Sequence, residues 1–293
     1  MKKRVAIQGV RGSNHYSVAR DYFGDEAEIH EFLSFDGLVE CLTLGNCDYG
    51  IMALENTIAG SIIPNYALID YNGLKICGEY YLNIHHHLMA MPGQQIEDIQ
   101  EVCSHPMALL QCKEFFKGHR HIKLVEDVDT AEVAQRIAKN ELKGVAAIAP
   151  KKAADLFDLE VLEDDIQTIR NNATRFVIVQ KPVTEVTRSH RVANDSLDIE
   201  DTGSAQNQIN KASLKFELEH KRGSLAALLN VMSDCKLNLT KIQSLPKIET
   251  PWKYAFFVDV TFDTYEDYAK AKAVIEIMAE EFTILGEYKN GRS

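Results

Sequence analysis

Apolar residues in the first 180 positions come in short runs, and each run is followed by a stretch with helical spacing. Val5 to Gln8, Tyr49 to Leu54 and Val102 to Ser104 read as strands; Ser17 to Phe23, Ile62 to Tyr71 and Met107 to Phe116 read as the helices after them. Lys123 to Glu126 predicts a further strand, Thr130 to Asn140 a helix capped by Asp129, and Gly144 to Ala149 a small-residue strand ending at Pro150. The alternation predicts an α/β fold of parallel strands with crossover helices.

The stretch 183–210 is rich in Thr, Ser, Asn, Asp, Gln and Gly, has no clean period, and reads as a linker. Beyond it, Leu214 to Leu218 and Asn238 to Ser244 alternate as strands, and Ser224 to Ser233 sets Leu225, Leu228, Leu229 and Met232 on one helical face. Trp252 to Phe262 predicts a strand, Tyr265 to Ala279 a helix, and Phe282 to Gly286 a last short strand. The order is βαββαβ, a split βαβ arrangement of one sheet and two helices, as in ferredoxin-like domains.

At 293 residues, with 45% apolar and 26% charged side chains, the chain can bury sizeable cores and is long enough for two domains. Its formal charge of −11 argues against nucleic acid and anionic lipid as partners, while leaving room for a local anion pocket. No run approaches the apolar length of a membrane span, and the opening Met1 to Gly9 is too polar for a signal peptide. Cys41, Cys47, Cys77, Cys103, Cys112 and Cys235 are scattered without a Cys-x-x-Cys pair, so free thiols and a reducing cytoplasm are expected.

Three polar clusters fall where strands end, and a fourth leads into the strand Val177 to Val179. Gly9-Val10-Arg11-Gly12-Ser13-Asn14-His15 follows the first strand and opens a helix; it suits an anion against backbone N–H groups, and equally a plain tight turn. Glu55-Asn56-Thr57-Ile58-Ala59-Gly60-Ser61 follows another strand, where ligands gather in open α/β sheets, and would also serve as a capping segment. Ser104-His105-Pro106 repeats the pattern, with Ser104 equally suited to capping a helix; no Gly-x-Ser-x-Gly elbow supports a hydrolase. Asn172-Ala173-Thr174-Arg175-Phe176 joins a hydroxyl, a permanent cation and a ring, a grouping able to hold a carboxylate and help an oxygen depart, or simply to form a turn. His85-His86-His87, His119 and His121 lack the spacing of a metal site and read as satisfied or solvated imidazoles, so no metal is expected.

Together these motifs resemble the prephenate dehydratase family with a C-terminal regulatory ACT domain. Asn172, Thr174, Arg175 and Phe176 match the family's Asn-x-Thr-Arg-Phe; Glu55, Asn56, Thr57 and Gly60 match its Glu-Asn-Ser/Thr-x-x-Gly; Ser104 to Leu109 match its Ser-His-Pro-x-Ala-Leu. The first loop keeps Gly9, Gly12 and a hydroxyl at Ser13 but departs from the family's Gly-Pro-x-Gly-Thr-Phe-Ser, and Met107 and Ala173 replace its usual Gln and Tyr. The resemblance implies a two-lobed catalytic region like the periplasmic binding proteins over 1–182, with lobe one about 1–79 and 165–182 and lobe two about 80–164. The site would lie between the lobes.

It further implies decarboxylating dehydration of prephenate to phenylpyruvate in phenylalanine biosynthesis, without a cofactor. Thr174 would be the catalytic donor to the leaving hydroxyl. Ser13, Glu55, Asn56, Thr57, Ser104, His105, Asn172, Arg175 and Phe176 would bind substrate, with Arg175 gripping a carboxylate or orienting the loop, Glu55 orienting its neighbours and Phe176 packing. Residues 211–293 would form the ACT domain, which pairs into a homodimer or homotetramer and binds phenylalanine near Gly223, Ser224, Leu225, Asn238 and Leu239. The family's Glu-Ser-Arg-Pro reads Gln243-Ser244-Leu245-Pro246 here, losing a potential ion pair. Arogenate dehydratase, or a non-catalytic amino-acid or organic-anion sensor, are the rival functions the fold allows.

Overall fold

Val5, Ala6 and Ile7 are fully buried in β1 (Arg4–Gln8), because helices cover both faces of a parallel sheet and leave no solvated side for polar alternation. The computed structural model describes residues 2–182, 208–247, 250 and 253–292. Most of the expected linker, 183–207, and Trp252 lie outside them. The chain divides into two compact units, one of Lys2–Ile62 with Tyr81–Phe176, the other of Ile63–Tyr80 with Val177–Ser293.

In the first unit β1 pairs in parallel with β2 (Glu28–Phe32) and with β3 (Tyr49–Asn56), and β4 (Gly60–Ser61) turns back against the end of β3. Helices α1 (Asn14–Phe23) and α2 (Phe35–Thr43) follow β1 and β2. The segment 28–43 thus holds a strand and a helix that the apolar rhythm passes over: β2 is only half-buried, so its run is broken by Glu28, His30 and Glu31. Cys41 and Cys47 are joined in a disulfide, against the expectation of free thiols throughout. The turn after α2 folds back so that the amides of Asn46 and Cys47 both donate to the carbonyl of Cys41, which brings the two α-carbons to 5.6 Å. Burial pushes the Cys103 and Cys112 thiols up to about 11 and about 12, which keeps them unreactive.

A second sheet in this unit has the order β10-β6-β9-β7-β8. Its strands are β6 (His87–Ala90), β7 (Glu101–Ser104), β8 (Lys123–Glu126), β9 (Val145–Ala149) and β10 (Glu160–Glu163). β7 runs parallel to β8 and β9, whereas β6 is antiparallel to both β9 and β10, so the sheet is mixed rather than wholly parallel. Leu88, Val102, Phe116 and Ile148 pack on one side, Met89, Val133, Ile137 and Ala147 on the other. The helices here are α4 (Pro106–Gln111), α5 (Thr130–Lys139) and α6 (Lys151–Phe157). Met107 to Phe116 is not one helix: α4 ends at Gln111, and a 3₁₀ turn at Phe115–Lys117 sends Phe116 into the core. Asp129 caps α5 as expected, accepting from the amides of Ala131 and Glu132.

The second unit holds α3 (Ile63–Tyr71) and the parts of β5 (Lys75–Asn83) and β11 (Ala173–Gln180) that fall within its bounds. It continues as β12 (Lys211–Glu217), α7 (Ser224–Asp234), β13 (Asn238–Pro246), β14 (Tyr254–Thr261), α8 (Tyr265–Met278) and β15 (Glu281–Tyr288). This is the expected βαββαβ order, with antiparallel sheet order β13-β14-β12-β15. Leu214, Phe216, Val258 and Val260 meet Leu228, Met232, Tyr268 and Ile275 of the two helices. The opposite sheet face buries charge: Lys211 pairs with Glu79 at 2.9 Å and Lys215 with Asp70 at 2.7 Å, while Tyr66 packs edge-on to Phe257. Gly286 allows this close approach, since a Cβ there would collide with the carbonyl oxygen of Ile76.

Candidate active site

The C-terminal ends of β1 and β3, the start of α1, the segment 84–86, the start of α4, the start of α5 and the beginning of β11 surround a cavity of about 230 Å³ within the first unit. Ligands collect at such strand ends because helix N-termini there present unpaired N–H groups. Ser13 caps α1 by accepting from Tyr16, and Asn14 and His15 of its first turn line the cavity, as do Asp129 and Thr130 at the start of α5. Gly9 and Gly12 both hold positive φ, at 92° and 85°, and carry the chain tightly from β1 into α1. Neither lysine nor arginine lines the cavity among the described residues.

Strand alternation decides which motif residues reach it. Asn172, Thr174 and Phe176 line the cavity, whereas Arg175, one step out of phase, is buried without lining it. Of the other motif residues, Ser13, Asn56 and His105 line it as well. Thr57 instead clamps the start of β11: its hydroxyl oxygen accepts from the Ala173 amide at 3.0 Å, and its own amide donates to the Ala173 carbonyl at 2.9 Å. Ser104 is wholly buried and donates to the Ile148 carbonyl at 2.7 Å; the cap of α4 is His105, whose Nδ1 accepts from Met107. Glu55 lies at the end of β3, half-buried and outside the lining.

Asn56 is the hub of the site. Its Oδ1 accepts from the amides of Ile58 and Ala59 at 2.9 and 2.8 Å, which fixes its amide orientation. Its Nδ2 therefore donates, to Asn172 Oδ1 at 2.6 Å and to Thr174 Oγ1 at 2.9 Å. A hydroxyl oxygen engaged as an acceptor retains its own hydrogen for another partner, and accepting a bond polarises that O–H. Thr174 is only 8% exposed and lines the cavity.

Among the lining residues, His86 and Gln111 carry no candidate role in the motifs, and His15 belongs to the first loop without one of its own. Gln111 sits at the last turn of α4, and its Oε1 meets both His86 Nε2 at 2.8 Å and Asn172 Nδ2 at 3.1 Å. His15 packs edge-on against Phe35 and Phe176, and burial pushes its imidazole down to about 4, keeping it neutral near pH 7. Burial lowers His86 as well, its bond to Gln111 opposing the shift. A histidine one residue before a buried strand was the available signal at His86; the contact with Gln111 crosses too many residues for local pattern to show it.

A sequence profile of the prephenate dehydratase family matches residues 5–184. The chain is 32% identical over 296 aligned positions to arogenate dehydratase/prephenate dehydratase 2, chloroplastic, of Arabidopsis thaliana, covering 97% of this chain and 72% of that protein. A prephenate dehydratase from Arthrobacter aurescens, solved in complex with L-Phe, superposes with a TM-score of 0.83 at 22% identity, covering 99% of this chain and 90% of that one. GqqA, described as a quorum quenching acylase, superposes equally well, with a TM-score of 0.83 at 23% identity and 98% of each chain covered. At such identities the two superpositions establish the shared fold, which by itself assigns no chemistry.

Proposed function

Because this chain belongs to the prephenate dehydratase family, we propose that it converts prephenate to phenylpyruvate with loss of water and carbon dioxide. The observation that carries this reading is the Thr174 hydroxyl, held in the cavity with its oxygen accepting from Asn56. In the reaction the bond from the ring to its carboxylate breaks, and its electron pair moves through the ring as carbon dioxide leaves. The carbon–oxygen bond across the ring then breaks, and the departing oxygen takes up a proton to leave as water. Aromatisation supplies the driving force, so the protein's task is to stabilise charge on the departing oxygen.

Thr174 meets that need as a preorganised donor whose hydrogen bond strengthens as the charge develops. The substrate's two carboxylates would meet the first turn of α1, where Asn14 and His15 line the cavity, and Thr130 at the start of α5; the Asp129 carboxylate, which also lines it, is engaged by the amides of Ala131 and Glu132. In this reading Arg175 and Ser104 support the site from beneath its surface, and Glu55 and Thr57 hold the end of β3 and the start of β11. The experiment mixes the full-length protein with prephenate at neutral pH and follows phenylpyruvate, with arogenate as a parallel substrate. Turnover of prephenate, falling about 100- to 1000-fold in Thr174→Ala, is the expected result. No turnover of either substrate, or full turnover in the variant, overturns it.

The proposal extends to regulation. Residues 211–293, after a linker at 183–210, would be an ACT domain that pairs two copies of the chain and binds phenylalanine as a feedback effector. Support comes from the βαββαβ order and from a cleft of about 100 Å³ that includes Ser224 and Leu225 at the start of α7 together with Leu218, Tyr254 and Phe256. Gln243, Ser244, Leu245 and Pro246 lie on edge strand β13, as do Asn238 and Leu239, outside that cleft, which is why the proposed site needs a second copy of the domain to complete it. Gly223 opens α7 in a left-handed conformation. The chain would act in the cytoplasm, and no helix among the described residues is long and apolar enough to cross a membrane. Phenylalanine that lowers activity and raises the apparent mass in solution supports the regulatory reading; unchanged activity at saturating phenylalanine removes it.

A further inference from the structure

We propose that His86 is a positioning residue for Thr174, acting on it through Gln111, Asn172 and Asn56. The inference rests on the reading of Thr174 as the hydrogen-bond donor. Every direction in the chain follows from one fixed end. The amides of Ile58 and Ala59 hold Asn56 Oδ1 as an acceptor, so Asn56 Nδ2 must donate to Asn172 Oδ1 and to Thr174 Oγ1. Asn172 then presents Nδ2 to Gln111 Oε1, which makes that oxygen an acceptor. His86 Nε2, 2.8 Å from the same oxygen, must carry its hydrogen.

The other end is equally constrained. His86 is 5% exposed, its backbone amide donates to Gln167 Oε1 at 2.9 Å, and its Nδ1 is buried without a partner among the described residues. The opposite tautomer would bury an unpaired N–H at Nδ1 and set the Nε2 lone pair against Gln111 Oε1, and both are unfavourable. Five side chains are thus joined with every donor assigned: His86 and Asn172 both donate to Gln111, and Asn56 donates to both Asn172 and Thr174. Gln111 Oε1 accepts twice; without His86 it loses one donor and the Gln111 amide is free to turn away, which would remove the acceptor of Asn172 Nδ2 and loosen Asn172 against Asn56, the donor to Thr174. The consequence at Thr174 is loss of orientation, with no direct contact between His86 and the reacting oxygen required.

The test measures kcat and KM for prephenate in wild type, His86→Leu, His86→Gln, Thr174→Ala and the His86→Leu/Thr174→Ala double variant. His86→Leu is expected to lower kcat roughly tenfold with KM changed less than about twofold, the size of one lost hydrogen bond felt mainly in the transition state. His86→Gln, whose amide nitrogen replaces Nε2–H, restores most of kcat. In the Thr174→Ala background the His86→Leu change has an effect of less than about twofold, because the two residues act as one unit. An unchanged kcat in His86→Leu, or the same loss with Thr174 present and absent, overturns the proposal while leaving Thr174 in place. Full activity of Thr174→Ala instead overturns the reading beneath it. If His86→Leu does not fold, His86→Asn replaces it; Asn cannot reach Gln111 as Gln can, and equal activity of His86→Asn and His86→Gln overturns the inference.

Discussion

Asn56 Nδ2 stands 2.9 Å from Thr174 Oγ1, and the donor in that pair is the amide. The relationship predicts a specific result for Asn56→Asp, a change that preserves shape. A carboxylate cannot donate, so Thr174 would turn its own hydrogen toward residue 56 and withdraw it from the cavity. The added charge also faces an anionic substrate. Thr174 should then be as ineffective as alanine, with kcat down about 100-fold or more. Steady-state kinetics beside a melting curve separate this from unfolding: Asn56→Asp with near-normal kcat would mean that the polarity assigned to the pair is wrong.

Gly12 is required twice over. Its φ of 85° disfavours any side chain, and a Cβ at this position would sit 2.9 Å from the α-carbon of Ala153. Gly12→Ala should destabilise the protein by about 1–3 kcal/mol, since strain at left-handed φ and overpacking each cost on that order. Urea denaturation followed by circular dichroism measures it. Gly24, also at positive φ but with open space around it, is the control, and Gly24→Ala should cost less. Equal costs would show that the contact with Ala153 is unimportant.

Much of this was legible in the chain, and the exceptions have physical causes. Periodicity located β1, β3, β7, β9 and α5, which carry buried faces, and all six elements of the βαββαβ segment, including β13, where exposed and half-buried positions simply alternate. It passed over β2 and α2, where the strand is half-exposed and its polar residues mask the pattern. The motifs at Asn56, Asn172 and Thr174 do meet in one cavity. Arg175 was expected beside them from its position in the motif, yet a strand sends neighbours to opposite sides, so only alternate members line the cavity. Ser104 looked like a ligand or a cap, and its hydroxyl is spent on the Ile148 carbonyl. His86 and Gln111 became visible only when the fold brought residues 25 apart together. The disulfide was missed because a Cys-x₅-Cys spacing matches no metal or redox motif, and only the fold-back after α2 joins the two thiols.

Acidification should weaken the fold through His15. Its imidazole is held down at about 4 by burial, against 6.5 when unfolded, so between those values the unfolded chain binds the extra proton. Stability is therefore fully present above about pH 6.5 and falls as pH drops toward about 4, by at most about 1.4 kcal/mol for each unit of difference. His86, lowered by burial in the same direction, adds to the slope. His15→Leu keeps an apolar contact for Phe35 and Phe176 while removing the titration. Melting temperatures from pH 7 to pH 4 should fall less steeply in this variant than in wild type; parallel curves would show that His15 does not titrate as its surroundings dictate.

The ion pair between Lys211 and Glu79 predicts an asymmetry between breaking it and removing it. Both side chains are nearly inaccessible, at 4% and 0% exposure, and Glu79 Oε1 also accepts from the Gly291 amide at 3.0 Å. Glu79→Leu would remove the carboxylate that both the buried Lys211 ammonium and the Gly291 amide donate to, which should cost about 3–5 kcal/mol. Lys211→Met/Glu79→Leu removes both charges and fills the space with apolar atoms of similar volume, so it should recover much of that loss. Because this pair joins β12 to the Ile63–Tyr80 segment within the second unit, the unfolding midpoint of the whole chain in urea is the measurement. A double variant as unstable as Glu79→Leu would indicate that the Gly291 amide, rather than the lost Lys211–Glu79 pairing, dominates the cost.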